Sequence, residues 1–383
     1  MKISYIKIYP LAIPLIEPMK MSGETITHAN TLLVCIRDDE GREAWGETSA
    51  APLMTGETLG SLLQNAKYLG EHLMGISIPN LLLITPTLNK FLYGNSSIKA
   101  CFEMALLDLF AQKSETSVWK ILRDLAKNNT GNIPNPLPLL RMLGGSLDRE
   151  IADAKKYHAL GYRHWKIKVG SLPLEEDLKR VSILCDLLPG DTISADANGA
   201  FKLEDAINFC TNERTSKLSF VEQAISSQST LNDFSLLKSK SKLPIALDES
   251  IHGVSEIAYF DQANALDGAS LKLIKTGGLL SGLDSAFELQ HRNLKLNLAC
   301  KVAETSLSAA ATASLGFAIE SVPWGFSMSN QYLEFDICSK PLQANNGHLN
   351  IEQLGSIGIG IVPELELVSK AQAKDFSAFL CQG

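Results

Sequence analysis

The chain has no long apolar run. Nothing in its 383 residues approaches the roughly 18 uninterrupted apolar residues of a spanning helix, so no membrane partner is expected. It has no C-x-x-C pair. Its seven cysteines (Cys35, Cys101, Cys185, Cys210, Cys300, Cys338 and Cys381) are odd in number and scattered. That argues against zinc fingers and disulfide frameworks and favours a reduced, cytoplasmic enzyme. Cys35 and Cys300 stand inside apolar runs and read as packing residues. Positive charge is not in surplus: 35 Lys and Arg against 42 Asp and Glu leave −7. A nucleic-acid or anionic-membrane partner would need clustered Lys and Arg, so neither is expected. There is no G-x-G-x-x-G phosphate turn, PLLRMLGGS being no match, which weighs against nucleotide binding. The N-terminus alternates like a strand and lacks a small-residue cleavage site, so no signal peptide is expected.

What is present is ordinary globular composition, 45% apolar and 20% charged, in a chain too long for one small core. Residues 1–16 and 30–37 read as strands. They flank a polar segment, Glu17 to Ala29, that carries Lys20, Ser22, Gly23, Glu24 and His28. AWGETSAAP and two helical stretches follow, which suggests an α+β domain over residues 1–130. Residues 128–138, NNTGNIPNPLP, have linker composition. From Leu139 short apolar runs alternate with helical patterns seven or eight times, the last run weakly near AIESVPW. Such alternation predicts a parallel sheet, most simply a closed α/β barrel over 135–328 with a doubly wound open sheet as the alternative. Residues 329–383 lose the period and read as hairpin and loop packing back on the first domain.

The chemistry concentrates in residues 164–275. Five apolar runs, HWKIKVG, TISADANG, SFVEQA, PIALDES and ASLKLIKTGG, each end in charged residues. Lys168, Asp196, Glu222, Asp248 and Lys272 stand 28, 26, 26 and 24 residues apart, about one strand plus one helix and two loops. One carboxylate at a strand end is often a cap or surface charge. Three on consecutive strands, about 4.8 Å apart, would converge and repel unless a cation neutralised them. Oxygen ligands without Cys or His select a hard ion, Mg²⁺ first and Mn²⁺ second. Lys166 and Lys168 share one strand face, and neighbouring ammonium groups plus a metal are expected to depress a lysine pKa toward that of a usable base. Lys272 brackets the acids from the far side, while Lys275 is expected in the following turn. Asn198 and Glu249 are candidate orienting groups. Glu304, after the seventh run, either faces the site or starts a helix.

These residues resemble the enolase superfamily, in particular its muconate-lactonizing-enzyme subgroup. The resemblance rests on K-x-K at Lys166–Lys168, D-x-N at Asp196–Asn198, V-E-Q at Val221–Gln223, D-E-S at Asp248–Ser250, the L-K-L-x-K-T-G-G run from Leu271 and the A-W-G-E segment. It implies a modified TIM barrel, (β/α)7β-like, with an N-terminal α+β capping domain completed by the C-terminal segment. It implies Mg²⁺ on Asp196, Glu222 and Asp248, with Lys168 and Lys272 as acid and base. Loops around Lys20–Thr25, including Ser22 and Glu24, and around Trp45–Thr55 would close over a small carboxylate substrate, and a homo-oligomer is expected. Dipeptide epimerases of this subgroup carry Asp-x-Asp after the eighth strand. The stretch here, Trp324 to Ser327, has no acid, and Ser327 is the candidate substrate contact.

The resulting expectation is Mg²⁺-dependent removal of the α-proton of a carboxylate through an enediolate. Racemisation or epimerisation, cycloisomerisation and o-succinylbenzoate-synthase-like dehydration all use that step. A catalytically silent metal-binding barrel is the alternative of another class.

Overall fold

The computed structural model describes residues 1–21, 24–127, 133–319 and 321–382. The chain opens with a long antiparallel hairpin, β1 (Ile3–Met21) and β2 (Glu24–Asp38), extended by β3 (Glu43–Ser49). Alternation explains its inner face: Ile6 and Ile8 are fully buried while Tyr5, Lys7 and Tyr9 are not. The hairpin arms run further than the polar sequence between them predicts, with pairing from Met19↔Ile26 to Met21↔Glu24. The backbone ladder continues through this polar stretch, so apolar alternation underestimates the strands. Helices α1 (Leu59–Leu73), α2 (Ile84–Phe91), α3 (Ser96–Lys113) and α4 (Val118–Leu125) follow.

Helix α3 is buried around most of its circumference, as expected for a helix covered on all sides. It packs on β3 so closely that a Cβ on Gly46 would lie 1.9 Å from the Cys101 carbonyl oxygen. The glycine of the A-W-G-E segment is therefore a spacing requirement.

The second unit is an eight-stranded parallel sheet. Its strands follow the short β4 (Leu137–Pro138) and are β5 (Leu140–Leu143), β6 (His164–Lys168), β7 (Thr192–Asp196), β8 (Phe220–Glu222), β9 (Ile245–Leu247), β10 (Gly268–Leu271), β11 (Lys295–Ala299) and β12 (Phe326–Ser327). They pair in sequence order, and a parallel bridge between Leu139 and Phe326 joins the two ends into a barrel. Intervening helices include α5 (Leu147–Ala159), α6 (Leu174–Leu187), α7 (Leu203–Thr211), α8 (Leu231–Lys240), α9 (Val254–Gln262), α10 (Leu273–Thr276), α11 (Leu279–His291) and α12 (Ser306–Ala318). The eighth strand lies beyond the AIESVPW run. Ala318 ends α12, and Pro323 and Gly325 precede a strand of only two residues. Near the C-terminus come β13 (His348–Leu349), α13 (Leu365–Lys370) and β14 (Phe379–Gln382); β13 pairs with β4, and β14 pairs antiparallel with β1. All seven cysteines are free and buried.

Two buried carboxylates bind the units together. Glu47 of β3 accepts hydrogen bonds from Thr305 N and Oγ1 and from Ser308 N, at the start of α12. Glu103 of α3 accepts from Leu279 N and Leu280 N, at the start of α11. Each fills orphan N–H groups of a barrel helix from the neighbouring unit.

Candidate active site

Strand register explains how the charged residues meet. Lys168, Asp196 and Glu222 lie on one rung across β6, β7 and β8. Glu222 pairs with Ala246, so Asp248 stands two residues further on, just past β9. Barrel strands are tilted and staggered, so a level plane crosses successive strands at different registers. The row therefore climbs to Asp248 and then to Lys272, both just past their strands, at the mouth where barrel chemistry sits.

The carboxylates are wrapped in lysines. Lys168 Nζ donates to Asp196 Oδ2 at 2.6 Å and to Asn198 Oδ1 at 2.7 Å. Lys166 Nζ lies 2.6 Å from Glu222 Oε2 and 3.6 Å from Asp196 Oδ2. Lys272 Nζ donates to Asp248 Oδ2 at 2.5 Å. Lys275 Nζ donates to Asp248 Oδ1 at 2.7 Å, to the Asp248 carbonyl and to Ser270 O at 3.0 Å. Lys275 is therefore not a turn residue. Helix α10 starts directly after Lys272, which puts position 275 on the same helical face. Exposure separates the four: the Lys168 and Lys272 side chains are 20% and 11% accessible, Lys166 7% and Lys275 0%.

The flanking motif residues hold this geometry. Asn198 adopts φ +44°, a left-handed conformation that Asn tolerates, and its Nδ2 donates to Glu249 Oε1 at 3.0 Å. Gln223 Oε1 accepts from Asp248 N and Ser250 N, while its Nε2 donates to Ser250 Oγ at 2.8 Å. The Gln of V-E-Q and the Ser of D-E-S thus lock two strand ends together, a role with no separate signal in the sequence.

Burial and neighbouring charge compete along this row. Burial disfavours charge on Lys272, but Asp248, Glu249 and Glu222 outweigh it, and its pKa is raised. Lys166 is likewise raised, Glu222 and Asp196 overcoming its burial. At Lys275 burial wins over the pull of Asp248, and its pKa is lowered. Burial acts against charge on Asp196 and Asp248 too. Lys168 and Lys166 hold Asp196 low, and Lys272 and Lys275 hold Asp248 low. Burial with the adjacent Asp248 and Asp196 charges pushes Glu249 up to about 7.

The row floors a cavity of about 300 Å³. Lys166, Lys168, Asp196, Asn198, Glu249 and Lys272 line its base; Ser49 to Met54, Ile26 and His28 roof it; Met142, Lys301, Ser327, Ser329 and Tyr332 form the walls. Met142, Ser329 and Tyr332 had no sequence signal, since each reaches the cavity only through loop geometry. Ser327 ends β12, and Met328 and Ser329 follow it, with no acid among the three. Glu304 does not line the cavity. It is buried behind it, accepts from Lys301 N at 3.0 Å, and is pushed up to about 8 by burial and by Glu47. Ser22 lies outside the described residues, as do the side chains of Glu24 and Lys20.

Among the described residues, no three His, Cys, Asp or Glu side chains form a preassembled metal cage. The donor set nevertheless suits a hard divalent ion. Glu222 Oε1 is buried without a hydrogen bond, while Oε2 meets Lys166 Nζ at 2.6 Å. Asp196 and Asp248 offer only oxygen beside it.

A parallel barrel roofed by an α+β unit, with lysines and carboxylates at its strand ends, is the architecture of a capped-barrel enzyme. Residues 149–367 match the family model described as enolase C-terminal domain-like. Residues 5–122 match the mandelate racemase / muconate lactonizing enzyme N-terminal domain. The chain belongs to this family, within the enolase superfamily, and is an enzyme. It is 28% identical over 301 residues to a D-Ala-D/L-Ala epimerase of Cytophaga hutchinsonii, covering 74% of this chain and 75% of that one. It is 25% identical to an o-succinylbenzoate synthase of Bacillus subtilis, covering 94% of each. It is 26% identical to an N-succinyl-L-Arg/Lys racemase of Bacillus cereus, covering 83% of each. Among solved structures, a Cytophaga hutchinsonii dipeptide epimerase complexed with Mg and D-Ala-L-Val superposes with a TM-score of 0.88 at 22% identity, covering 99% of this chain and 100% of that one.

Proposed function

We propose that the chain is a racemase or epimerase of a carboxylate substrate, with Lys168 and Lys272 exchanging the α-proton on opposite faces of one carbon. The observation that carries this reading is the pairing of position with access. Lys168 and Lys272 end the row on either side of three buried carboxylates, line one cavity, and are the two more accessible lysines of the four. Asp196, Glu222 and Asp248 would hold a divalent ion, Mg²⁺ by their all-oxygen character. When bound, that ion would place positive charge beside the substrate carboxylate and so favour the enediolate.

The chain's own groups then divide the remaining work. One cavity lysine, as the neutral amine, takes the α-proton, and the opposite ammonium returns a proton to the other face. Asn198 keeps Lys168 aimed, and Glu249 keeps Asn198 aimed. Ser49 to Met54 exclude water from above. The far wall offers Ser327, Ser329, Tyr332 and apolar side chains, and among the described lining residues the only carboxylates, Asp196 and Glu249, belong to the base. A neutral acylated nitrogen suits that wall better than a free ammonium, so an N-acyl amino acid is the preferred substrate class. The coverage of o-succinylbenzoate synthase, 94% of both chains, supports a second reading in which the same proton removal leads to dehydration.

The test is a screen of N-acyl amino acids and other carboxylates with Mg²⁺ in D₂O, reading α-deuterium by mass spectrometry. Wild type is expected to exchange at least one compound class. Lys168→Ala and Lys272→Ala are each expected to lose roughly 10²-fold or more. Absence of exchange from every α-carboxylate, with any divalent ion, would overturn the reading.

A further inference from the structure

On the seam between the two units lies a second cavity of about 280 Å³, nearly as large as the catalytic one. Its walls come from α2, the start of α3, the loop after β9 and the turn between α10 and α11. Among its described lining residues Leu88 is the one large apolar side chain, and no carboxylate is present. Lys99, Lys275 and His252 all border it; Lys275 is held by Asp248, so Lys99 is the unmatched charge beside this cavity.

Lys99 is the telling residue. It is 8% exposed, and its Nζ donates to the neutral amide oxygen of Asn89 at 2.7 Å. No carboxylate pairs with it among the described residues. Glu57, the acid whose field reaches it, is already committed to Ser97 N and Ile98 N. Burial pushes the Lys99 pKa below the ordinary lysine value. A buried ammonium beside a roomy polar cavity, with a neutral oxygen as its partner, is costly unless an anion completes the site.

We propose that this seam cavity binds a small oxyanion, with Lys99 as its charge partner and His252 and Ser96 as polar contacts. The site is coupled to the catalytic roof. His252 Nε2 donates to Met54 O at 3.0 Å, and Ser97 Oγ donates to Thr55 Oγ1 at 2.8 Å. Met54 lines the catalytic cavity, so an anion gripped at the seam would steady the segment that covers the reaction. The effect on the roof rests on the proposed function; anion binding at the seam does not.

Inorganic phosphate is titrated into the full chain by calorimetry and thermal denaturation, with chloride at matched ionic strength as the control and acetate as a second arm. Wild type is expected to show saturable stabilisation, a Tm rise of roughly 2 °C or more at saturation. Lys99→Met is expected to lose it, while Lys168→Met, which alters only the catalytic row, retains it. His252→Gln supplies a second variant and is expected to weaken binding about fivefold or more. A response to phosphate alone marks a phosphoryl ligand, and a Lys99-dependent response to acetate as well widens the class to carboxylates. Equal stabilisation of wild type, Lys99→Met and His252→Gln overturns the proposal. So does a response that vanishes in Lys168→Met, since the anion would then sit on the catalytic row.

Discussion

Lys272 and Lys275 stand three residues apart and approach the two oxygens of one carboxylate, Asp248. Their situations differ. Lys272 looks into the catalytic cavity, while Lys275 is sealed beneath it with the Asp248 side chain, the Asp248 carbonyl and Ser270 as partners. On the proposed mechanism Lys275 would be the standing counter-charge that keeps Asp248 ionised and oriented when Lys272 turns to substrate. Lys275→Met would leave a buried carboxylate short of one cation. A loss of about 3 kcal/mol of folding stability is expected, measured by urea unfolding. Stability within 0.5 kcal/mol of wild type would show that Lys272 alone suffices. The even spacing of strand ends made Lys272 legible in the sequence. Lys275 was hidden because Gly277 and Gly278 announce a turn, and nothing in the composition says that one turn of helix comes first.

At the scale of elements, the parallel strands were readable because each short apolar run closes on a charge at a steady period. The register was not, since stagger around a barrel depends on strand tilt. The eighth strand was missed in place because two residues carry no periodic signal. The apolar pattern weakens toward the hairpin tip, where β1 and β2 nevertheless stay paired. The contact of α3 with β3 is tightest at Gly46. Gly46→Ala is expected to push the helix from the sheet and cost about 1–3 kcal/mol, read as a lowered urea midpoint with unchanged slope. An unchanged midpoint would mean that the helix moves aside freely.

For the whole molecule, pH acts through buried acids at the seams. Burial pushes Glu103 and Asp108 up to about 7 from ordinary values of 4.5 and 3.8. A carboxyl whose pKa is raised by folding stabilises the fold when protonated. Its contribution is full below the unfolded value and is lost as pH rises through about 7. Glu103→Gln keeps an acceptor for Leu279 N and Leu280 N but removes that titration. The variant is expected to show a flatter decline in Tm between pH 4.5 and 7.5 than wild type. Identical slopes would place the titration elsewhere. The two helix-capping acids carry a consequence for folding order. Glu47 reaches Thr305 across 258 residues of chain, and Glu103 reaches Leu279 across 176. Helices α11 and α12 therefore finish their first turns only when the segment made first has docked on the segment made late. Such distant closures favour slow assembly. Residues 135–328 expressed alone are expected to give a compact state without cooperative unfolding, and adding residues 1–130 as a separate chain should restore the transition. A newly synthesised chain thus holds its N-terminal unit in waiting until nearly the whole barrel exists to receive it.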